Sequence, residues 1–412
     1  MKYLAQFVCV IAVVVFASVL VACSSAESSG SSENSGSSES SSSAESPATA
    51  SDDAQSTGSS ASQSSESVQS SASQPAESAG DPLGLWNDDA PLKKKLVDFV
   101  EAATDESSSG FIPVEDRIAT FDFDGTLFCE TDPNYFDYTL LVYRVLEDAN
   151  YKDKASDFEK SVAAKIVDQN ENGTKYEELP VEHGQAVASS FKGMTIDEFY
   201  SYVSEFMKTP MPSYEGMVRG GGFYQPMVQV VDYLKANDFT VYIVSGTDRL
   251  IVRGIFNDPS CPIDLPLSQV IGSDETLVGS AQGDEDGLDY TFGQDEQLVL
   301  GGDFIIKNLK ENKVSVIQSE IAKQPVLSFG NSSGDFAMDN YALSNPTYAS
   351  AAFQLCCDDL ERENGDQKKA QSMYEDCEKN GYVPVSMAND WKTIYGDGVT
   401  YLGAEEELAQ AA

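Results

Sequence analysis

The chain has 412 residues, enough for two or three domains, and carries 67 Asp and Glu against 26 Lys and Arg, a formal net charge of −41. Such a charge repels nucleic acid and anionic lipid headgroups, so we exclude both as general partners, and a phosphate site would need local positive charge. The single histidine, His183, nearly excludes a His-rich metal site or a Ser-His-Asp triad.

The first 22 residues have the pattern of a secretory signal. Lys2 precedes an apolar run over residues 7–21, which ends Leu-Val-Ala immediately before Cys23. This ending resembles the lipobox of bacterial lipoproteins, in which the cysteine is lipidated and becomes the mature N-terminus. An ordinary cleaved signal and a membrane-spanning helix are the alternatives, but the run is marginal in length for a span. We therefore expect residues 1–22 to be removed and Cys23 to anchor the chain to the cell membrane, facing outward.

A polar tract follows the signal. Residues 23–80 are mostly Ser, Glu, Ala, Gly and Gln with almost no apolar side chains, so they cannot bury a core. We expect this tract to be a disordered tether. The folded domain is predicted over residues 81–412, and its first helix over residues 92–99, after Leu85 and Trp86.

Two aspartates follow the first predicted strand. Residues 118–121 are apolar and β-favouring, and the strand ends in Asp122, Phe123, Asp124 and Gly125. Residues two apart share one face of a strand, so the two carboxylates are expected to point the same way. Such close carboxylates stay ionised mainly when a cation or a hydrogen-bonding loop offsets their charge.

The next part of the chain has helical patterns and almost no strand signal. Thr195 and Glu198 have the spacing of a capping box. The block, about residues 131–215, is too long for a simple connection, so we predict an all-helical insertion. The predicted helices cover residues 134–147, 156–167, 181–191 and 195–207, and residues 216–222 are predicted to be a flexible return.

The rest of the chain alternates between helices and strands. Alternation of this kind predicts a parallel sheet with right-handed crossovers, whose crevice lies beyond the carboxyl ends of the strands. The predicted segments are helix 227–235, strand 239–244, helix 248–256, a hairpin excursion within 269–304, helix 313–322 and strand 325–329, with further alternation to residue 401.

Three strand ends and one lysine resemble the motifs of the haloacid dehalogenase-like superfamily. The resemblance covers about residues 116–340, and it implies an α/β fold with a Rossmann-like parallel sheet core. The helical insertion resembles the C1-type cap of the phosphoserine phosphatase-like branch. The matching residues are, in motif order, Asp122-Phe-Asp124-Gly-Thr126, Val244-Ser245-Gly246, Lys313, and Gly330-Asn331-Ser-Ser-Gly-Asp335 with the overlapping Gly334-Asp335-Phe-Ala-Met-Asp339.

The resemblance implies Mg²⁺-dependent hydrolysis of a small phosphomonoester outside the cell. Asp122 would be the nucleophile that forms an aspartyl-phosphate, and Asp124 the general acid and then base. Ser245 and the amide of Gly246 would hold phosphate oxygens. Lys313 would neutralise the nucleophile and the phosphate. Phosphoryl transfer to another acceptor, as in a mutase, and a non-catalytic ligand-binding lipoprotein are the alternatives.

The metal ligands and the lysine leave two choices open. Mg²⁺ would be held by Asp122, the carbonyl of Asp124 and the fourth-motif loop. Many relatives have aspartate where this chain has Asn331, so either Asn331 or Asp335 is the main ligand from that loop. Lys307 competes with Lys313 for the third motif, and Lys313 is preferred because it opens a helix just before a strand.

Several residues are candidates for contact with the substrate. Glu130 and Tyr135 follow the nucleophile loop, and Arg219 lies near the return of the helical insertion. Aromatic residues of the insertion, Tyr135 and Tyr138 among them, could surround a cationic group, but the same spacing is typical of a helical core. Substrate identity and oligomeric state are left open. So is disulfide pairing, for which Cys377 with Cys357 or with Cys356 is a hypothesis.

Overall fold

The computed structural model describes residues 80–403, so the predicted signal, Cys23 and nearly all of the predicted tether lie outside the described residues. The strands are β1 (Ile118–Phe121), β2 (Tyr214–Glu215), β3 (Thr240–Asp248), β4 (Val270–Gly279), β5 (Leu298–Ile306), β6 (Leu327–Gly330), β7 (Ala351–Cys356), β8 (Val383–Ser386) and β9 (Thr400–Tyr401). The helices are α1 (Pro91–Thr104), α2 (Phe136–Val142), α3 (Asp157–Asn172), α4 (Leu179–Ser190), α5 (Ile196–Met207), α6 (Gln225–Ala236), α7 (Arg249–Asn257), α8 (Glu311–Glu320), α9 (Phe336–Leu343), α10 (Gln367–Asn380) and α11 (Met387–Asp390). In this part of the chain, no helix combines the length and the apolar character that crossing a membrane requires.

Seven strands form one sheet in the order β5-β4-β3-β1-β6-β7-β8. Every neighbouring pair is parallel except β4 and β5, which are antiparallel. Phe121, Phe329 and Phe353 stack across β1, β6 and β7, with centroid separations of 4.2 and 4.8 Å. The predicted α/β class with a parallel sheet core is therefore confirmed, and its central strands are held in register by buried aromatic rings.

Helices α2 to α5 occupy the segment predicted to be helical, which we call the helical block (residues 131–215). A π-helical turn, Tyr143–Glu147, continues α2. The predicted capping box is present: the Thr195 hydroxyl accepts the Glu198 amide at 3.2 Å, and the Glu198 carboxylate accepts the Thr195 amide at 2.9 Å. These bonds satisfy amide groups that the first turn of α5 leaves free.

The predicted hairpin excursion belongs to the main sheet. Strand β4 pairs with β3 in parallel and then turns back as β5. The connection between α4 and α5 joins the outer edge of β5, because the Gly193 amide donates to the Leu300 carbonyl at 2.8 Å and the Leu300 amide donates to the Met194 carbonyl at 2.9 Å. The helical block is therefore hydrogen-bonded to the sheet.

Two local predictions differ from the structure. The return over residues 216–222 contains an ordered 3-10 turn, Arg219–Gly221, whose first amide donates to the Thr209 carbonyl. The five cysteines in the described part of the chain are all free, so the hypothesis that pairs Cys377 with Cys357 or Cys356 is wrong. Cys356 and Cys377 instead pack in one buried hydrophobic cluster.

A buried carboxyl group of β4 lacks compensation. Glu275 is 7% exposed, and neither of its oxygens has a hydrogen-bond partner among the described residues. Burial raises the pKa of Glu275 from 4.5 to about 10, together with the charges of Asp248 and Asp274, which act in the same direction. The folded state therefore binds this proton more tightly than the unfolded state does. The free energy of unfolding consequently falls as the pH rises above the pKa that Glu275 has in the unfolded state.

We expect Glu275→Gln to stabilise the protein above about pH 5, by up to about 1.4 kcal/mol more for each pH unit towards pH 9, because glutamine needs no proton to be neutral. Urea unfolding of wild type and variant between pH 5 and 9 measures this. The exposed Glu285→Gln is the matched control and should follow the wild type. A stability difference that does not grow with pH would contradict the assignment.

Candidate active site

A cavity of about 140 Å³ opens at the carboxyl ends of β1, β3 and β6. Parallel strands end at one edge of a sheet, and this arrangement brings residues from distant parts of the sequence together. Five carboxyl groups line the cavity: Asp122, Asp124, Glu130, Asp137 and Asp335. The other lining groups used below are Tyr135, Tyr138, Gly246, Thr247, Lys307 and Asn331.

One buried ammonium group joins the motif residues. Lys313 of α8 is fully buried, and its Nζ donates to Asp122 Oδ1 at 2.7 Å, to Asp335 Oδ1 at 2.7 Å and to the Val244 carbonyl at 2.6 Å. Burial by itself would lower the pKa of Lys313, but the charges of Asp122 and Asp335 raise that pKa above its usual value. Lys313, and not Lys307, is therefore the lysine that contacts Asp122, while Lys307 lies half-buried in the cavity lining.

Asp122 is buried at the end of β1, and its amide donates to the Phe329 carbonyl at 2.9 Å. Burial raises the pKa of Asp122 to about 6, the charge of Asp335 acts in the same direction, and Lys313 opposes both. This carboxyl group is therefore ionised at neutral pH. It lines the cavity as a charged oxygen group supported by Lys313.

Asp124 lies in a different environment from Asp122. Its Oδ2 accepts the Thr247 hydroxyl at 2.5 Å, and its buried Oδ1 has no partner among the described residues. Burial and the charge of Asp137 raise the pKa of Asp124 well above its ordinary value. Sequence reasoning missed Thr247, although β3 continues to Asp248 and places Thr247 two residues beyond Ser245.

The fourth-motif loop lies directly against Gly125. Gly125 has φ +73°, and a Cβ there would lie 1.9 Å from Asn331 Nδ2 and 2.7 Å from Glu130 Cδ, so only glycine fits. Glu130 accepts a hydrogen bond from the Asn331 side chain, and Asn331 Oδ1 accepts the Thr126 hydroxyl at 3.4 Å. Burial raises the pKa of Glu130 to about 7, although Lys369 and this hydrogen bond oppose the shift.

Asp335 organises this loop. Its Oδ2 accepts the amides of Asn331 at 3.1 Å and Ser332 at 3.0 Å, and also the Ser332 hydroxyl at 3.2 Å. Its Oδ1 accepts Lys313. Both carboxylate oxygens of Asp335 therefore accept hydrogen bonds from the protein, and Asn331 Oδ1 accepts one, at 3.4 Å, from the Thr126 hydroxyl.

The residues present fit a magnesium site made of oxygen ligands. The Asp122 carboxylate, the Asp124 carbonyl and the Asn331 amide oxygen are the types of ligand that Mg²⁺ takes, with water for the remainder. Gly125 allows the approach of Asn331 that such a site needs. Within residues 80–403, no group of three or more His, Cys, Asp or Glu side chains is arranged to hold a metal, so this site would depend on carbonyl, amide and water ligands.

The other predicted residues divide between lining and support. Gly246 lines the cavity, but Ser245 does not: its hydroxyl accepts the Thr247 amide at 3.0 Å, and its carbonyl accepts Asn308 Nδ2 at 3.0 Å. Tyr135 and Glu130 line the cavity as predicted. Arg219 does not, because its guanidinium is used by Asp132.

The helical block contributes a second acidic group that sequence reasoning missed. Asp137, in the first turn of α2, lines the cavity and is 1% exposed. Tyr138 lines the cavity as well, and its ring centroid lies 4.1 Å from that of the buried His183 ring, with the two planes tilted by 35°. Asp137 and Tyr138 directly follow Phe136, which packs in the core. The sequence alone therefore could not tell which of these neighbours line the cavity.

No protein-family model matches the chain, and no curated protein matches its sequence. Among solved structures, the chain is similar to a conserved protein of unknown function from Anaerococcus prevotii, at 14% identity and TM-score 0.45 over 72% of this chain and 95% of the other. It is also similar to cytosolic 5'-nucleotidase IIIB bound to cytidine, at 11% identity and TM-score 0.42 over 74% and 88%. A phosphoserine phosphohydrolase-like protein from Francisella tularensis is similar at 12% identity and TM-score 0.35 over 72% and 99%. Identities and TM-scores this low do not establish a function for this chain.

We expect Lys313→Met to destabilise the protein by about 3–5 kcal/mol at neutral pH, because it leaves Asp122 and Asp335 buried without their cation. Lys307→Met is the control and should change stability by about 0.5 kcal/mol or less, since Lys307 is half-buried at the cavity. Chemical denaturation of the three proteins measures both. Equal losses in the two variants would contradict the assignment of Lys313.

Proposed function

We propose that the chain is a haloacid dehalogenase-like phosphatase that hydrolyses a small phosphomonoester through an aspartyl-phosphate, with Mg²⁺. The observation that carries this proposal is a pair of carboxyl groups two residues apart whose pKa values are pushed apart. Asp122 is ionised beside Lys313, whereas burial and the charge of Asp137 raise the pKa of Asp124 well above its ordinary value, against the hydrogen bond from Thr247. Such a pair supplies a nucleophile and an acid side by side at neutral pH.

The proposed first step is attack by the Asp122 carboxylate on phosphorus. The bond from phosphorus to the leaving oxygen breaks as the new bond forms, and Asp124 gives its proton to that oxygen. The product alcohol leaves, and Asp124 is then a carboxylate. Magnesium, when bound, would neutralise charge on the phosphoryl oxygens.

The proposed second step regenerates the enzyme. Asp124 takes a proton from water as the water oxygen attacks the phosphorus of the aspartyl-phosphate. The bond between phosphorus and the Asp122 oxygen breaks, which releases inorganic phosphate and returns Asp122 to the carboxylate held by Lys313. Gly246 lines the cavity, and its backbone amide would donate to phosphate oxygens in both steps.

The cavity and the N-terminal sequence bear on the size of the substrate and on the location of the protein. The cavity of about 140 Å³ is smaller than the roughly 300–1,000 Å³ of sites for drug-sized ligands, which favours a small substrate. The helical block supplies part of its wall and restricts access by large molecules. The signal and the Cys23 motif support an outward-facing, lipid-anchored location on the cell membrane.

One observation favours a second candidate, a binding protein without turnover. Asn331 stands at the place where many relatives have a metal-binding aspartate, and an amide oxygen binds Mg²⁺ more weakly than a carboxylate. A protein that only binds ligand has no need of a nucleophile and an acid together, so we prefer the enzyme.

We expect the purified protein to hydrolyse an aryl phosphate in the presence of Mg²⁺, and Asp122→Asn to reduce turnover by at least about 10³-fold because the amide is not a nucleophile. Release of the phenol measures turnover with Mg²⁺ and with a chelator. The exposed Asp303→Asn is the control and should retain wild-type turnover. Equal turnover in wild type and Asp122→Asn, or none in a folded protein that binds Mg²⁺, would overturn the phosphatase.

A second prediction concerns Thr247. The Thr247 hydroxyl donates to Asp124, the proposed acid. We expect Thr247→Val to slow hydrolysis of an alkyl phosphate by about 10–100-fold, and that of a nitrophenyl phosphate much less. The reason is that only the alkoxide leaving group needs a proton from Asp124. The ratio of kcat/KM for the two substrates measures this effect. Thr247→Ser keeps the hydroxyl and should restore the ratio, whereas equal losses on both substrates would contradict the role.

A further inference from the structure

Asp137 lines the cavity, and one oxygen of its buried side chain lacks a hydrogen-bond partner among the described residues. Its side chain is 1% exposed, and its Oδ1 has no hydrogen-bond partner among the described residues. Its Oδ2 lies 3.7 Å from His183 Nδ1, which is longer than a normal hydrogen bond. A buried carboxylate oxygen without a donor is costly. A ligand in the cavity that donates a hydrogen bond would remove this cost.

The neighbouring histidine does not neutralise Asp137. His183 is 1% exposed, and both of its ring nitrogens lack hydrogen-bond partners within the described part of the chain. Burial lowers the pKa of His183 to about 4, Lys307 acts in the same direction and the charge of Asp137 opposes both, so the imidazole is neutral at neutral pH. The imidazole therefore gives Asp137 no charge to pair with, and Asp137 Oδ1 has no donor among the described residues.

The rest of this wall suits a cation. Tyr135 and Tyr138 line the cavity beside Asp137, with their rings 5.4 Å apart and nearly perpendicular. Aromatic faces attract cations. Among the described lining residues, five carboxyl groups accompany a single lysine, Lys307. A leaving group with a carboxylate of its own would meet this negative charge.

We propose that the substrate is the phosphomonoester of a small amino alcohol that has no carboxylate, and that Asp137 accepts a hydrogen bond from its ammonium group. This inference rests on the proposed phosphatase function. The phosphate faces the strand ends beside Asp122, while the leaving group faces the helical block. Because Asp137 Oδ1 lacks a donor, an ammonium with N–H groups fits better than a quaternary ammonium, which has none.

The experiment compares kcat/KM of the whole protein on a set of phosphomonoesters with Mg²⁺. We expect 2-aminoethyl phosphate to exceed glycerol phosphate, phosphocholine and phosphoserine, each by at least about tenfold, as a buried charge-assisted hydrogen bond allows. A preference for phosphoserine would overturn the exclusion of a carboxylate. A preference for phosphocholine would overturn the hydrogen bond to Asp137, and no preference would overturn the inference as a whole.

The variant Asp137→Asn tests the residue. We expect the ratio of kcat/KM for 2-aminoethyl phosphate to that for nitrophenyl phosphate to fall by about tenfold, because the charge that pairs with the ammonium is gone. Asp303→Asn is the matched control and should keep the wild-type ratio. An unchanged ratio in Asp137→Asn would overturn the role. If that variant fails to fold, competitive inhibition of the wild type by ethanolamine but not by ethylene glycol is the deciding measurement.

The two proposals fail in different ways. Hydrolysis of nitrophenyl phosphate that needs Asp122, without preference for the amine, would leave the phosphatase standing and overturn the amino alcohol. If no phosphomonoester is hydrolysed, the phosphatase is overturned. Calorimetric binding of 2-aminoethyl phosphate, lost in Asp137→Asn, would then support the amine site alone, and lack of such binding would overturn it too.

Discussion

One buried ammonium group fixes the relation between three strand ends. Lys313 donates to Asp122 after β1, to the carbonyl of Val244 in β3, and to Asp335 after β6. Two buried carboxylates would each be costly without a partner, so the site requires α8 to bring this cation to both. Lys310 starts that approach: it has φ +56°, and its amide donates to the Gly334 carbonyl at 2.9 Å. The position of α8 therefore determines the geometry of the site, because it sets where Lys313 meets Asp122 and Asp335.

Much of the fold could be predicted because its signals are local. Apolar runs that end in Asp, Ser or Gly mark β1, β3 and β6, and a parallel sheet brings such ends to one edge. The capping box at Thr195 needs only residues three apart. The sequence did not predict that β4 pairs with β3, because no local pattern tells which strand an excursion joins. Residues 280–297 also separate β4 from its other partner, β5.

The fate of charged side chains depends on packing that the sequence does not display. Arg219 and Asp137 are both charged residues near the helical block, yet Arg219 is used by Asp132 while Asp137 lines the cavity. Strand alternation does not predict the position of Thr247, because the register of β3 against β4 shifts between Val244 and Asp248. Asp335 has both oxygens occupied within its own loop, which no motif reveals.

The acidity of the chain bears directly on the substrate selectivity that we propose. A protein with a net charge of −41 repels an anionic substrate at long range, so a phosphate group has to be stabilised by short-range contacts at the strand ends. Asp122 needs Lys313 merely to remain ionised, and little positive charge is left over for a second anionic group. An additional negative charge on the leaving group would lie against Asp137 and Glu130, whereas a positive charge would be attracted both from a distance and at contact. In the proposed reaction, the carboxylates that make phosphate binding demanding would also separate substrates by the charge of the leaving group.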